Sequence, residues 1–329
     1  MKRNEFGTCT RRVCLLGAAM ALVLGVGAGT VQAADKFPSK TIDVVTHAGA
    51  GGGTDVTTRM MLMRARRALK TDMVVVSKKG GAGAVAMNYA NKQPRDGYTI
   101  MTITPTHLLT IAQGKSVLKL DDLVGIARAT DDPQILMVSA KSPFKTIDDM
   151  LAEGKKRPIK FGGTQVGGID HITVYTFVKK AGLKLPVYVP YKGGGAIVTN
   201  LIGGDIEVGV LNLSEAESQI NAGEIRALMV LAAKRMKPLP DVPTSIEKGI
   251  QATFSTVRGF VTLKGAPPEA LTALEKGIVK AMNHKYYQGY LESSGLGPDS
   301  VVGSKDWNAQ IQQLYTDGIT TLKDLGMVK

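Results

Sequence analysis

Apolar runs of strand length alternate with stretches of helical periodicity along most of the chain, and glycine clusters join many of them. In the first example, the apolar run 42–45 leads through glycines into residues 54–69, where apolar residues recur at helical spacing. The same order of strand, glycines and helix returns in residues 159–181 and 187–202. Strands that alternate with helices in this way predict βαβ units and a mostly parallel sheet in an α/β fold.

The length of the chain and its later strand-like runs indicate two domains. At 329 residues the chain is long enough to bury two cores. Strand-like runs in residues 124–138 and 254–263 are predicted to cross from one domain to the other and back. We therefore expect a signal segment (residues 1–33), a first domain (residues 34–130 and 258–329) and a second domain (residues 131–257).

The N-terminal segment has the three parts of a secretory signal peptide. A basic region is followed by an apolar run in residues 13–26 and by a small-residue cleavage site that ends at Ala33. Because residues 10–15 also resemble a twin-arginine signal, both Sec and Tat export stay open. Cleavage near Ala33 would leave the mature chain in the periplasm of a bacterium.

Composition argues against several classes of protein for the mature chain. Both cysteines, Cys9 and Cys14, lie in the signal segment, so no disulfide or cysteine-ligated metal is available, and we expect no metal and no cofactor. No later apolar run approaches the roughly 20 residues that span a bilayer. The formal net charge is +13 for the whole chain and, because residues 1–33 contribute 4 − 1 = +3, it is +10 for the mature chain. Such a charge could indicate nucleic acid, but export and an aromatic content of 5% argue against that partner. A basic surface that attracts anionic ligands fits better.

The glycine cluster of residues 49–53 is the main candidate for a binding site. Glycines let the backbone approach a ligand closely, and the first turn of the next helix presents free N–H groups with a partial positive charge. A dinucleotide fingerprint matches poorly, because Thr54 stands where Gly or Ala is needed and no acidic residue closes the second strand. P-loop and hydrolase motifs are absent from the sequence. We therefore predict that a small carboxylate binds at this loop.

Titratable residues near the glycine clusters leave alternatives open. His171 follows the second cluster, where it could donate to an anion or only orient the loop. For His47 and His107 we expect a structural role rather than a ligand contact. Asp55 is expected to interact with the helix dipole, and a ligand contact is the alternative. We expect no enzyme, and the rival hypothesis is an exported α/β enzyme that uses His171 and Asp55 as an acid–base pair.

Several short motifs, in the same order along the chain, resemble the Bug-type periplasmic receptors of the tripartite tricarboxylate transporter family. Besides the first glycine cluster, they lie in residues 95–99, 143–149, 203–207, 220–228 and 239–244. The resemblance covers nearly the whole mature chain. It implies a two-domain periplasmic binding protein of type II, a Venus flytrap with two interdomain crossovers. It also implies a receptor that passes a small organic acid, with one, two or three carboxylates, to the large and small membrane subunits of a permease.

The resemblance further implies which residues bind the ligand. The first ligand loop of the family falls on residues 49–55 and the second on residues 164–171, where Gln165 and Gly168 depart from the family pattern. The residues before the first loop, His47 and Ala48, lack the usual aromatic wall. We expect a monomer, and an ABC-type receptor of the same architecture is the nearest alternative. The expected ligand-binding residues are Gly49, Ala50, Gly51, Gly52, Gly53, Thr54, Asp55, Thr104, Thr106, Thr164, Gly167, Gly168, His171, Tyr191, Lys192 and Gly193.

Overall fold

The computed structural model describes residues 36–328, so the expected signal segment lies outside the described residues. The strands, in chain order, are β1 (Ile42–Thr46), β2 (Met73–Ser77), β3 (Thr99–Ile103), β4 (Leu123–Pro133), β5 (Ile135–Ser139), β6 (Lys160–Gly163), β7 (Val187–Pro190), β8 (Val208–Leu211), β9 (Ile225–Val230) and β10 (Ser255–Leu263). The helices are α1 (Gly53–Leu69), α2 (Ala84–Asn91), α3 (Pro105–Ala112), α4 (Ile147–Lys156), α5 (Ile169–Lys180), α6 (Gly194–Gly203), α7 (Leu213–Asn221), α8 (Pro268–Met282), α9 (Lys285–Ser293) and α10 (Ser304–Asp324). None of these helices is long and apolar enough to cross a membrane.

The strands form two five-stranded sheets, and each sheet carries its own helices. The first sheet has the order β2-β1-β3-β10-β4, and the second has the order β7-β6-β8-β5-β9. We call the first sheet with α1–α3 and α8–α10 the first lobe, and the second sheet with α4–α7 the second lobe. Both lobes belong to one compact unit that begins at Phe37. The two sheets, each with its own helices, confirm the expected α/β fold.

Each sheet is mostly parallel, as the sequence predicts, but contains one antiparallel strand. In the first sheet β10 runs antiparallel to β3 and β4, and in the second β5 runs antiparallel to β8 and β9. Both of these strands enter their sheet directly from the other lobe. They need no crossover helix, so nothing forces them to run parallel to their neighbours.

Two neighbouring connections join the lobes, and backbone hydrogen bonds tie them together. The first runs from β4 through Gln134 into β5, and the second returns from β9 to β10. The amide of Gln134 donates to the carbonyl of Phe254 at 2.9 Å, and the Gln134 carbonyl accepts from the amide of Leu231 at 2.8 Å. The amide of Phe254 donates to the Leu231 carbonyl at 2.9 Å. The domain limits expected after residues 130 and 257 stay a prediction.

The strands at the centre of each sheet are buried on both faces. On β1, the neighbours Val44 and Val45 point to opposite faces and are both fully buried. Val44 packs in a cluster with residues of α1 and α8, whereas Val45 packs in a cluster with residues of α2 and α10. Burial on both faces explains why these strands show continuous apolar runs rather than alternation.

The helix α3 is an element that the sequence analysis did not predict. Its residues from Pro105 to Ile111 are all buried, including Thr106, His107 and Thr110. A helix that is enclosed on every side has no polar face, so its sequence carries no amphipathic period. The position of α3 matters for the site, because its first turn lies at the carboxyl end of β3.

Candidate functional site

A cavity of about 800 Å³ lies between the two lobes, where the loops that follow the parallel strands meet. Open α/β sheets place ligands at this end of their strands, beside the first turns of the helices. Of the expected residues, the cavity is lined by Gly49, Ala50, Gly51, Gly52, Gly53, Thr54, Thr104, Thr106, Thr164, Tyr191, Lys192 and Gly193. The others, Asp55, Gly167, Gly168 and His171, do not line it.

The loop from β1 to α1 forms the first-lobe wall of the cavity. Gly51 has a left-handed φ of 78°, which favours glycine, and its amide donates to Asp55 Oδ2 at 3.0 Å. The Asp55 carboxylate also accepts from Arg59 Nε at 2.9 Å, so it holds the loop from behind rather than facing the cavity. The helix α1 has no side-chain cap. Within the described residues, the amides of Gly53, Thr54 and Asp55 have no acceptor.

The loop from β6 to α5 is held by Asp170, His171 and the first lobe. Asp170 Oδ2 accepts from the amide and the hydroxyl of Thr164 at 2.8 and 2.6 Å, and Oδ1 accepts from Gln134 Nε2. His171 Nδ1 accepts from the amide of Gly167 at 3.3 Å, and burial lowers the pKa of this imidazole. These contacts fit the loop-orienting alternative for His171.

The first lobe reaches across to this same loop through α3. Thr106 Oγ1 accepts from the amide of Ile169 at 3.2 Å, at the first turn of α5. Gln113 Nε2 donates to the Gly167 carbonyl at 2.9 Å. The lobes are therefore in direct contact beside the cavity through two hydrogen bonds, one that caps α5 and one from the side-chain amide of Gln113.

The loop from β7 to α6 supplies a third helix N-terminus. Tyr191, Lys192 and Gly193 lead into α6, and the amides of Gly194 and Gly195 have no acceptor in the described part of the chain. A Cβ atom on Gly194 would lie 2.6 Å from Glu215 Oε1, so only glycine fits at this position. Free amides thus face the cavity from both lobes.

Arg258 is the main site residue that the sequence analysis missed. It stands on β10, is only 2% exposed and lines the cavity. Its Nη1 donates to Asp132 Oδ2 at 2.8 Å and its Nη2 donates to Asn212 Oδ1 at 3.0 Å, which joins the two lobes. Burial raises the pKa of Asp132 to about 6, and the guanidinium opposes that shift. The single charged residue of strand β10 was the available signal.

Glu215, on α7, is a second side chain that the sequence did not single out. Its Oε2 accepts from the amide of Asn212 at 3.0 Å. Burial raises the pKa of Glu215 to about 6, and Arg258 offsets this only in part. The spacing Asn212-x-x-Glu215 is a capping-box pattern, so the sequence signal was present but pointed to a helix start rather than to a ligand.

A pair of buried histidines supports the first-lobe side of the cavity, and one of them, His47, lines it. The rings of His47 and His107 pack edge to face, with centroids 4.3 Å apart. Burial, helped by Arg258, lowers the pKa of His47 to about 4. His107 is buried and its Nδ1 accepts from the amide of Thr104 at 3.1 Å, which fits the expected structural role. His47 lines the cavity as a neutral side chain.

Two lobes that enclose a cavity, with free helix amides on both sides, define a solute-binding receptor. The family described as "Tripartite tricarboxylate transporter family receptor" matches residues 58–325. The chain belongs to this family, whose receptors are periplasmic solute-binding proteins rather than enzymes.

Relatives and solved structures agree with the assignment. The chain is 26% identical to BugT of Bordetella pertussis over 298 residues, which covers 88% of this chain and 90% of BugT. It is 25% identical to a TctC solute binding protein from Polaromonas, with a TM-score of 0.69, covering 88% of this chain and 99% of the other. It also has the fold of R. palustris Rpa4515, solved with adipate, at 24% identity and a TM-score of 0.81, covering 88% and 98%.

Proposed function

We propose that the chain captures a small organic carboxylate in the cavity between its lobes and delivers it to the large and small membrane subunits of a tripartite tricarboxylate transporter permease. One observation carries the carboxylate assignment. Free amides at the start of α1 and of α6 face the same cavity from opposite lobes. A helix N-terminus binds anions through such amides and through its dipole.

The expected strength of binding follows from these contacts. Each hydrogen bond to a charged group contributes about 1.5–3 kcal/mol, and micromolar affinity corresponds to about 8 kcal/mol. A carboxylate held by a few amides therefore reaches useful affinity without any covalent step. The adipate bound to Rpa4515 supports this ligand class, since adipate is a dicarboxylate.

Closure of the lobes would depend on the ligand. A ligand shifts the balance toward the closed form only if it binds that form more tightly. Contacts to α1 in one lobe and α6 in the other meet this condition. The expected ligand-binding residues on both loops, from Gly49 to Thr54 and from Tyr191 to Gly193, would supply the contacts.

The remaining parts of the proposal concern the route of the protein. We propose that residues 1–33 are removed near Ala33 during Sec or Tat export, and that the mature chain acts as a monomer without catalytic activity. The domain limits at residues 130/131 and 257/258 belong to the same proposal. Uptake of a bound acid by cells that hold the permease subunits, with and without this chain, tests delivery.

A thermal-shift panel on the mature chain tests the ligand class. The panel contains mono-, di- and tricarboxylates, amino acids, the amides of the same acids and neutral sugars. A ligand present at 100 times its Kd raises stability by about 2.7 kcal/mol. We expect at least one carboxylate to raise the melting temperature while its amide does not. A shift with sugars and with no acid would reject the proposal.

A further inference from the structure

One oxygen in the cavity has no partner of its own. Glu215 Oε2 accepts from the Asn212 amide, but Oε1 has no hydrogen-bond partner among residues 36–328. A Cβ atom placed on Gly53 would lie 3.5 Å from Oε1, and one placed on Gly194 would lie 2.6 Å from it. This oxygen therefore stands between α1 of the first lobe and α6 of the second, on the wall of the cavity.

The nearby guanidinium does not neutralise Glu215. A Cβ on Gly53 would lie 2.6 Å from Arg258 Nη2, so Arg258 and Glu215 flank the same point of the loop. Arg258 forms its ion pair with Asp132, and in the described part of the chain it forms none with Glu215. Its Nη2 is engaged by Asn212. Asp170 lines the same cavity, but both of its oxygens accept hydrogen bonds from the protein.

The opposite end of the glycine loop carries the opposite charge. Lys79 Nζ lies 3.5 Å from the position of a Cβ on Gly49, and Lys79 lines the cavity. Lys79 has no ion-pair partner among the residues that the structure describes. The loop of residues 49–53 thus runs from an ammonium group at Gly49 to the Glu215 carboxylate at Gly53, where the Arg258 guanidinium also lies. A ligand along this loop meets both signs of charge.

We propose that Glu215 makes the receptor select carboxylates that also carry an ammonium group. The ligand carboxylate binds the amides of Gly49 and Ala50, which have no acceptor among the described residues and lie on the Lys79 side, and its ammonium group donates to Glu215 Oε1. An enclosed carboxylate without a full set of partners is costly, and an ammonium group brings three donors to it. A plain dicarboxylate would instead place like charges together. The inference rests on the proposed carboxylate function and narrows it.

Calorimetric titration with pairs of carboxylates, one with and one without an ammonium group, tests whether the receptor selects the ammonium group. The pairs are aspartate with succinate, glutamate with glutarate, and 4-aminobutyrate with butyrate. The proteins are the mature chain, Glu215→Gln, and Glu217→Gln as a control on the same helix. Glutamine keeps an oxygen that can accept from the Asn212 amide, so the cap of α7 survives in Glu215→Gln.

We expect one amino acid to bind the wild type and Glu217→Gln at least roughly tenfold more tightly than its partner without the amine, the gain of one charged hydrogen bond. In Glu215→Gln this ratio should fall toward one, with the plain acid gaining affinity. Equal or tighter binding of the plain acids by the wild type overturns the inference and leaves the carboxylate function intact. An unchanged ratio in Glu215→Gln also overturns it. If neither class binds, the proposed function itself is wrong. Should Glu215→Gln not fold, the wild-type ratio decides.

Discussion

The two walls of the cavity are built on different principles. The first-lobe wall is a contiguous glycine loop that offers backbone amides and is supported from behind by Asp55. The second-lobe wall adds charged side chains, Glu215 and Asp170, to the free amides of α6, beside an arginine that arrives from β10. Backbone amides hold any carboxylate of suitable size, whereas placed charges discriminate between ligands. The comparison separates the groups that bind the ligand carboxylate from the groups that determine which carboxylate is bound.

The largest effect is expected where the two walls share a buried charge. Replacing Arg258 with Met leaves Asp132 buried without its partner, at a cost of about 3–5 kcal/mol in the free energy of unfolding. Guanidinium chloride unfolding measures the loss. The double variant Arg258→Met/Asp132→Leu should lose less, because it leaves no unpaired charge.

An exposed ion pair provides the control for this loss. Arg157 pairs with Glu207 at 2.7 Å, and its side chain is 44% exposed. Arg157→Ala should cost no more than about 1 kcal/mol. If Arg258→Met costs as little as Arg157→Ala, the buried pair of Arg258 and Asp132 stabilises the fold no more than an exposed ion pair does.

The second effect probes the glycine anchor. Gly53→Ala would bring a Cβ within 2.6 Å of Arg258 Nη2, and overpacking of this kind costs about 1–3 kcal/mol. At Gly289, in the middle of α9, an added Cβ meets nothing within 4 Å. Gly289→Ala should therefore stabilise the protein by about 0.5–1 kcal/mol, since alanine favours a helix. Urea unfolding measures the change in the free energy of unfolding for each variant. Changes of opposite sign support the close fit at Gly53, and changes of the same sign contradict it.

The third effect concerns the contact that joins the walls. Gln113→Ala removes the bond to the Gly167 carbonyl across the lobes and should lower carboxylate affinity by about 0.5–1.5 kcal/mol, because closure loses one hydrogen bond. Gln93→Ala is the matched control, since among the described residues Gln93 Nε2 donates only to the Tyr89 carbonyl, in the helix just before it. Titration of both variants with the same acid measures the difference. Equal affinities would show that the Gln113 bond does not favour closure.

The smallest effect is the pH dependence of selection. Burial raises the pKa of Glu215 to about 6, with Asp170 and Asp132 adding to the rise and Arg258 opposing it. The carboxylate is therefore charged above about pH 6 and gains a proton as the pH falls through that value. Affinity for an amino carboxylate should drop about twofold at pH 6 relative to neutral pH, because half of the sites are then protonated. Glu215→Gln should flatten this profile in titrations with aspartate, and an equally steep profile would assign the pH effect to another group.

The sequence predicted the first wall well and the second poorly. The glycine loop is contiguous, so its strand, its turn and its helix N-terminus are all visible in residues 42–69. Arg258 meets Thr54 only through the fold, across 204 positions of the chain. Periodicity reports which face of an element is buried, and it contains no information on which distant polar residues share that burial.

Asn212 and Glu215, at the start of α7, show the same limit of sequence-based prediction. Asn212 and Glu215 follow a helix-start pattern, and that local role is real because the Glu215 carboxylate accepts from the Asn212 amide. The second role of each side chain, toward Arg258 and the cavity, depends on the approach of the first lobe. A residue with two roles shows only the local one in the sequence.

The two connections between the lobes, from β4 to β5 and from β9 to β10, determine how the lobes can move relative to each other. Backbone hydrogen bonds join the two connections between the lobes at Gln134, Leu231 and Phe254, so we expect the connections to bend together. The Gln134 side chain is meanwhile fixed to the second lobe through Asp170 and Thr173. We therefore expect the lobes to turn about one axis at these paired connections, with the cavity floor at Gln134 moving with the second lobe and Arg258 with the first.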